Sequence, residues 1–133
     1  MTTQTFYRTV AKTGHQQNRK VVTRATAAVL HALRDRLTTD EADEVFAQLP
    51  TELKEVWAEG DVARRHPIKM KRQEFYERVV QDAGLPSIRE ARWMTLAVFA
   101  ALKEQISPGE ARDVMAQLPQ DLKELWDEAQ AEM

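Results

Sequence analysis

The stretch that decides the fold is AQLPTELKEVW at residues 47–57, which returns as AQLPQDLKELW at residues 116–126. Shifting the chain against itself by 69 residues aligns residues 6–59 with residues 75–128 without a gap, and 20 positions are identical. The match is densest over residues 41–59, where 12 of 19 positions agree. Such a match indicates duplication of a whole structural unit, and two units fall short of the roughly three that an open solenoid needs. We therefore expect a closed pair of repeats around one core.

Each unit is predicted to be helical throughout, because apolar residues recur at spacings of three and four and no segment alternates like a strand. The first helix should begin near Thr5 and end at Gly14, and its counterpart in the second unit should end at Gly84. The longest helices are expected at about residues 18–37 and 87–106. The prediction is an all-α fold of two tandem homologous repeats, with three to four helices each, packed as one compact pseudo-symmetric domain.

The third helix of each unit has the clearest start signal. Ser107, Pro108 and Glu110 fit a capping box, in which serine accepts a backbone N–H three residues on and glutamate reaches back to the serine N–H. The segment from Thr38 to Glu41 is the same device without proline. The repeated Ala-Gln-Leu-Pro phrase then corresponds to a helix end, a proline corner and a short helix with a tryptophan anchor. Packing explains this phrase better than a docking motif displayed twice does.

Composition limits the functions that the chain can have. Its 133 residues are 43% hydrophobic and 30% charged, and the net charge of −2 excludes a globally basic nucleic-acid binder. The absence of cysteine excludes disulfides, thiol nucleophiles and cysteine-ligated metals, and it favours a cytoplasmic protein. Neither a signal peptide nor a run of roughly 20 apolar residues is present, so no membrane contact is expected. The predicted division is a first repeat at residues 1–61, a basic linker at 62–74 and a second repeat at 75–133.

Basic residues concentrate on the first long helix and in the linker. On the helix, Lys20, Arg24, His31 and Arg34 follow helical spacing and should form a solvent stripe opposite the apolar face. Such a stripe could follow phosphates, or it could pair with acidic helices of the same or a neighbouring molecule. The linker could bind nucleic acid or simply solubilise the connection. The candidates for contact with an anion or nucleic acid are Lys20, Arg24, His31, Arg34, Arg64, Arg65, Lys69, Lys71 and Arg72.

The second long helix differs from the first on the same face. Where the first unit has basic residues, the second has Trp93, Leu96 and Ala100. An aromatic and an aliphatic residue outside the predicted core stripe are either buried between the repeats or exposed for association. These three residues are the candidate protein contact, and both an intramolecular and a homodimeric contact remain open.

Enzyme signatures are missing from the sequence. The three histidines His15, His31 and His66 have no metal-ligand spacing, and the four glycines form no phosphate loop. Carboxylate pairs such as Glu41 and Glu44 are expected on a solvated helix face. We therefore predict no catalytic residues, no cofactor site and no metal site, and the chain is not expected to be an enzyme.

The motif order resembles the bacterial domain-of-unknown-function family numbered 2267. The resemblance rests on Phe-aromatic-x-x-Val, on a long helix ending near Val-Leu-x-x-Leu and on Glu-Ala-x-x-Val-x-Ala-Gln-Leu-Pro-x-x-Leu-Lys-x-x-Trp, and it covers about residues 4–130. It implies a small all-helical protein with no established activity and supplies no site residues. The leading hypothesis is a non-enzymatic protein-interaction or self-association module, with a homodimer possible. The alternative is a nucleic-acid-associated protein that binds phosphates through the basic stripe and the linker.

Overall fold

The computed structural model describes residues 1–63 and 65–131, and every regular element within these residues is an α-helix. The helices are α1 (Thr3–Thr13), α2 (Arg19–Arg36), α3 (Thr39–Ala47), α4 (Thr51–Ala58), α5 (Arg72–Ala83), α6 (Ile88–Gln105), α7 (Pro108–Ala116) and α8 (Gln120–Glu128). The all-α prediction is confirmed. Helix α1 begins at Thr3 rather than near Thr5, because the Thr2 hydroxyl accepts the N–H of Thr5 at 3.0 Å and caps the helix there. In the described part of the chain, no helix is both long and apolar enough to cross a membrane.

The predicted capping boxes of α3 and α7 are only half right. The hydroxyls of Thr38 and Ser107 accept the N–H groups of Glu41 and Glu110 at 3.3 and 3.1 Å, as expected for an N-cap. The reciprocal bond from Glu110 is wrong, because the Ser107 N–H donates instead to Oε1 of Gln48 at 2.7 Å. The Glu110 side chain is thereby left for another role.

The glutamine of the repeated phrase joins the two halves of the chain. Gln48 accepts the Ser107 N–H, and Gln117, which lies 69 residues later, accepts the Thr38 N–H at 2.9 Å. Each glutamine therefore caps the helix that begins in the other half, where backbone N–H groups lack partners within their own helix. This reciprocal contact explains why the phrase has a glutamine in both copies.

The long helices α2 and α6 form the centre of the core. The first helix of each half packs mainly on the long helix of the other half, so that α1 lies against α6 and α5 lies against α2. One cluster of buried residues contains side chains from all eight helices. In the second half it includes Phe99, whose ring centroid lies 5.8 Å from that of Phe75 and 5.0 Å from that of Trp126. Neither half buries its apolar faces by itself.

A cation from each long helix binds the C-terminal end of the last helix in its own half, which is α4 for α2 and α8 for α6. Nη1 of Arg34 donates to the carbonyls of Trp57 and Glu59 at 2.6 and 2.7 Å. Nζ of Lys103, 69 residues after Arg34, donates to the carbonyls of Trp126 and Ala129 at 2.8 and 3.0 Å. A helix C-terminus has free carbonyls and a partial negative charge, which these cations satisfy. Burial lowers the pKa of Lys103, and the charge of Asp127 opposes that shift.

Candidate functional site

An exposed tryptophan marks the outer surface of α6. Trp93 is 44% exposed, whereas Trp57 and Trp126 are each 2% exposed. Leu96, one turn later on α6, is half-buried, and beside it lies a depression of about 230 Å³ that also touches the end of α8. We call Trp93, Leu96 and this depression the Trp93 face. Ala100, predicted to belong to the same surface, is instead 1% exposed and belongs to the core, so the prediction that it contacts a partner is wrong.

Charged groups of both signs border the Trp93 face. Nη2 of Arg92 donates to both carboxylate oxygens of Glu128 at 3.1 and 2.9 Å, and the guanidinium carbon lies 5.9 Å from the centre of the Trp93 ring. The depression itself is lined in part by Glu128 and by the terminal segment at Ala129 and Gln130. The rim thus has one cation beside the exposed indole and one anion that is paired with this cation.

The predicted basic stripe of α2 divides into an exposed half and an internal half. Lys20 and Arg24 are exposed, in agreement with the prediction. His31 is partly buried, and its Nε2 lies 2.6 Å from the Val56 carbonyl, which fixes Nε2 as the donor. Arg34 is 3% exposed, so a solvent stripe as far as Arg34 is wrong. The cause is α4, because its C-terminal carbonyls lie against this part of α2 and accept hydrogen bonds from both His31 and Arg34.

Arg34 belongs to a buried network centred on Asp35. The Asp35 carboxylate accepts Nε of Arg34 at 2.9 Å and Nη2 of Arg78 at 2.6 Å. Burial alone would raise the pKa of Asp35, but the hydrogen bonds and charges of these two arginines outweigh burial and hold its pKa below the ordinary value. The network is structural, because its polar groups are turned toward one another and toward backbone carbonyls.

The basic linker also divides into internal and exposed residues. Nη2 of Arg65 donates to the Arg34 carbonyl at 2.6 Å and Nη1 donates to the Leu37 carbonyl at 2.9 Å, so this arginine caps the C-terminus of α2. Its charge pairs with Asp61 at 3.0 Å. The remaining linker candidates are exposed: Lys69, Lys71 and Arg72. Arg64, also a predicted anion contact, lies outside the described residues.

A basic groove lies between α1 and the start of α2. It encloses about 760 Å³, and its lining includes the exposed cations Arg8, Lys12 and Arg19 and no acidic residue. Lys20 and Arg24 extend the same positive surface along α2. The sequence shows these charges but not the groove, because only the packing of α1 on α2 brings residues 8–12 beside residue 19.

Four carboxylates meet where α3 crosses α7. They are Glu41 and Glu44 of α3 and Glu110 and Asp113 of α7, and one oxygen of each lies within 4.8 Å of the others. Burial and the neighbouring carboxylates of Glu41 and Glu44 raise the pKa of Glu110 to about 9. The expectation of a solvated pair at Glu41 and Glu44 is right for Glu44, which is exposed, but not for Glu41, which is half-buried with a buried Oε2. Glu110 itself is 5% exposed. The 69-residue offset relates Glu41 to Glu110 and Glu44 to Asp113, but only the tertiary structure makes the two pairs neighbours.

Comparison with known proteins agrees with the resemblance drawn from the motifs. The family described as "Uncharacterized conserved protein (DUF2267)" matches residues 3–125. No curated protein matches the chain. The family description names no activity, so any function has to be argued from the surfaces described above.

Proposed function

The chain belongs to the DUF2267 family of uncharacterized conserved proteins, and we propose that it is a non-enzymatic interaction module that self-associates through the Trp93 face. The observation that carries the proposal is the 44% exposure of Trp93. The cytoplasmic location expected from the cysteine-free composition is part of the same proposal. Large exposed aromatic side chains are typical of association surfaces, where they supply most of the binding energy.

The size of the depression favours a side chain as its occupant. Pockets for small molecules usually enclose about 300–1,000 Å³, whereas the depression beside Trp93 encloses about 230 Å³. A second indole approaching Leu96 would find apolar surface below it and the polar end of α8 at its edge. A single large side chain therefore suits this depression better than a free ligand does.

Charge complementarity favours a second copy of the chain as the partner. A twofold contact brings the same patch of both copies together, so each patch has to complement itself. Arg92 and Glu128 supply one positive and one negative group beside Trp93. In a twofold arrangement the arginine of one copy can approach the glutamate of the other, and the Trp93 ring of each copy can enter the depression on the other copy.

The expected dimer is weak. With 44% of its surface exposed, Trp93 can bury about 90 Å² on association, which corresponds to roughly 2 kcal/mol per copy. Two copies contribute about 4–5 kcal/mol from this contact, against an association cost of about 4–15 kcal/mol. The rest of the interface has to supply the remaining favourable free energy of association, and we expect a Kd between about 10 μM and 1 mM.

Sedimentation equilibrium over this concentration range tests the proposal. The wild-type mass should rise from monomer toward dimer, and Trp93→Glu should remain monomeric because its Kd rises about 100-fold or more. Arg24→Glu is the matched control, since position 24 is the equivalent of position 93 in the first half, and it should associate like wild type. A wild-type mass that stays monomeric up to about 1 mM, or a Trp93→Glu protein that associates normally, would reject self-association through this face.

The basic groove supports a second candidate function, the binding of nucleic acid phosphates. Arg8, Lys12 and Arg19 face a groove without acidic lining, and Lys20 and Arg24 are exposed beside it. Cations clustered on one surface attract phosphates even when the net charge of the protein is slightly negative. The buried residues Arg34 and Arg65 are not part of this candidate surface, because backbone carbonyls and carboxylates occupy their donors.

Fluorescence anisotropy with a labelled generic duplex distinguishes the two functions. If all five cations contact phosphates, the affinity should fall about 500-fold between 50 and 200 mM salt. Lys12→Glu combined with Arg19→Glu should weaken binding, whereas Trp93→Glu should not. No binding at 50 mM salt would eliminate this candidate and leave self-association unaffected.

A further inference from the structure

We propose that the four carboxylates at the crossing of α3 and α7 form a binding site for one hard divalent cation, with Ca²⁺ as the best fit. The ligands are Glu41, Glu44, Glu110 and Asp113. This site lies apart from the Trp93 face and from the basic groove, and it does not depend on either proposed function.

The arrangement of the oxygen atoms points to a missing positive charge. Glu110 is 5% exposed, and its Oε2 is buried with no N–H or hydroxyl group donating to it, so that the polar groups beside it are the carboxyls of Glu41 and Glu44. Oε2 of Glu41, on the opposite helix, is also buried without a partner. An unpaired buried carboxylate oxygen is costly, and it usually has a cation, a donor or a metal ion beside it. Within the described residues, no lysine or arginine forms an ion pair with any of the four carboxylates.

The ligand chemistry selects the class of ion. All four groups offer oxygen, which suits Ca²⁺, Mn²⁺ and Mg²⁺, whereas Zn²⁺ and Cu²⁺ prefer sites that include histidine or cysteine. The cluster has neither residue type among its ligands. Four carboxylates can supply the roughly six to eight oxygens that Ca²⁺ takes when some bind through both oxygens.

The spacing of the oxygens allows all four to bind one ion. Ca²⁺ binds oxygens at about 2.3–2.6 Å, so two oxygens on opposite sides of it lie about 4.6–5.2 Å apart. The four oxygens lie within 4.8 Å of one another, so each can reach a single Ca²⁺ between α3 and α7. The preference for Ca²⁺ over Mg²⁺ rests on the number of protein oxygens, because Mg²⁺ usually keeps several waters and binds through one or two carboxylates.

An ion at this position would join the two halves of the chain. Glu41 and Glu44 lie in the first half, and Glu110 and Asp113 are their equivalents 69 residues later. The glutamine contacts between the halves lie at the ends of the same helices, since Gln48 follows α3 and Gln117 follows α7. Ion binding should therefore stabilise the folded chain as a whole, because the site exists only when α3 and α7 are packed together.

Calorimetric titration of the EDTA-treated protein with CaCl₂ tests the site directly. We expect one ion per chain, saturation below about 1 mM and tighter binding of Ca²⁺ than of Mg²⁺. At a free Ca²⁺ concentration of about 100 times Kd, the unfolding equilibrium constant should fall about 100-fold, which a urea titration with and without Ca²⁺ measures.

Glu110→Gln is the decisive variant. It removes one ligand charge without changing the shape of the side chain. Ca²⁺ affinity should fall at least about 10-fold, because replacing even a residue that only hydrogen-bonds to a metal ligand commonly lowers metal affinity by about that factor. Without Ca²⁺ this variant should be at least as stable as wild type, because glutamine keeps the shape of the side chain and its amide can donate a hydrogen bond to the carboxylate of Glu41 or Glu44. Glu124→Gln, at an exposed carboxylate of α8 outside the cluster, is the matched control and should bind Ca²⁺ normally.

Two outcomes would overturn the proposal. One is the lack of any heat or stabilisation with Ca²⁺ or Mn²⁺ up to about 1 mM, which would mean that the carboxylates are held together by a shared proton alone. The other is a Glu110→Gln protein that binds Ca²⁺ like wild type. If Glu110→Gln fails to fold, Glu44→Gln and Asp113→Asn replace it, because both carboxylates are exposed. Retention of wild-type Ca²⁺ affinity in both of these variants would equally reject the site.

Discussion

Replacing Arg34 with alanine tests whether a cation from α2 holds the end of α4 in place. Its side chain is 3% exposed and donates Nε to Asp35 at 2.9 Å and Nη1 to the carbonyls of Trp57 and Glu59 at 2.6 and 2.7 Å. Removing one partner of a buried ion pair typically costs about 3–5 kcal/mol. Because Asp35 keeps the bond from Arg78, we expect Arg34→Ala to lower the free energy of unfolding by about 3 kcal/mol.

The lysine variant separates charge from geometry at this position. In the second half, Lys103 already makes the equivalent pair of carbonyl contacts. Arg34→Lys should therefore keep the helix cap and lose only the Nε bond to Asp35, at a cost of about 1–2 kcal/mol. This ordering, with alanine worse than lysine and lysine worse than arginine, is the signature of a cation that caps a helix.

Urea denaturation followed by tryptophan fluorescence measures these differences. Arg24→Ala, an exposed position on the same helix, is the control and should change the free energy of unfolding by no more than about 0.5 kcal/mol. A loss below about 1 kcal/mol for Arg34→Ala, with an unchanged dependence on urea, would refute the assignment of Arg34 to a buried structural network.

Three further predictions concern the core and its polar contacts. Gln48→Ala removes the acceptor of the Ser107 N–H and should cost about 1 kcal/mol in urea denaturation; no measurable loss would make the glutamine contact incidental. Burial opposes ionisation of Asp35, but its arginine partners outweigh burial and lower its pKa below the ordinary 3.8. The stability that the ionised carboxylate adds to the fold is therefore complete above that pH and is lost as the pH falls through the pKa of the folded state. Asp35→Asn should therefore lose less stability than wild type between neutral pH and pH 2, and parallel pH curves would contradict this. Phe99→Ala should cost about 3–5 kcal/mol by thermal denaturation, because the ring is fully buried; a loss below about 1 kcal/mol would show that the core collapses around the cavity.

Local signals predicted the helices well. Proline after Leu49 and Leu118 ends α3 and α7, and the hydroxyls of Thr38 and Ser107 cap α3 and α7 as expected. Hydroxyl or amide side chains also cap α1, α2 and α6. These features depend on residues within one turn of each other, so the order of residues is sufficient to reveal them. The exposure of Trp93 was likewise one of the two alternatives that the sequence left open.

Long-range packing decided the features that the sequence missed. Arg34 has the spacing of a solvent-facing cation, but α4 covers it and takes its donors. Glu110 has the spacing of a capping residue, but Gln48 takes the Ser107 N–H and the glutamate turns toward α3. In both cases the competing partner lies more than 20 residues away in the chain, and no local pattern indicates it.

The sequence by itself determined that this protein is helical, because caps and apolar spacing depend on residues that are near one another in the chain, and it also shows the recurrence of residues at an offset of 69. Only the tertiary structure decided which of the residues related by the 69-residue offset lie close together. It brings Glu41 and Glu44 to Glu110 and Asp113, and it leaves Trp93 exposed while burying Ala100 on the same helix. The physical reason is that burial and charge pairing depend on how the halves exchange their first helices across the core, and helical periodicity does not specify that exchange.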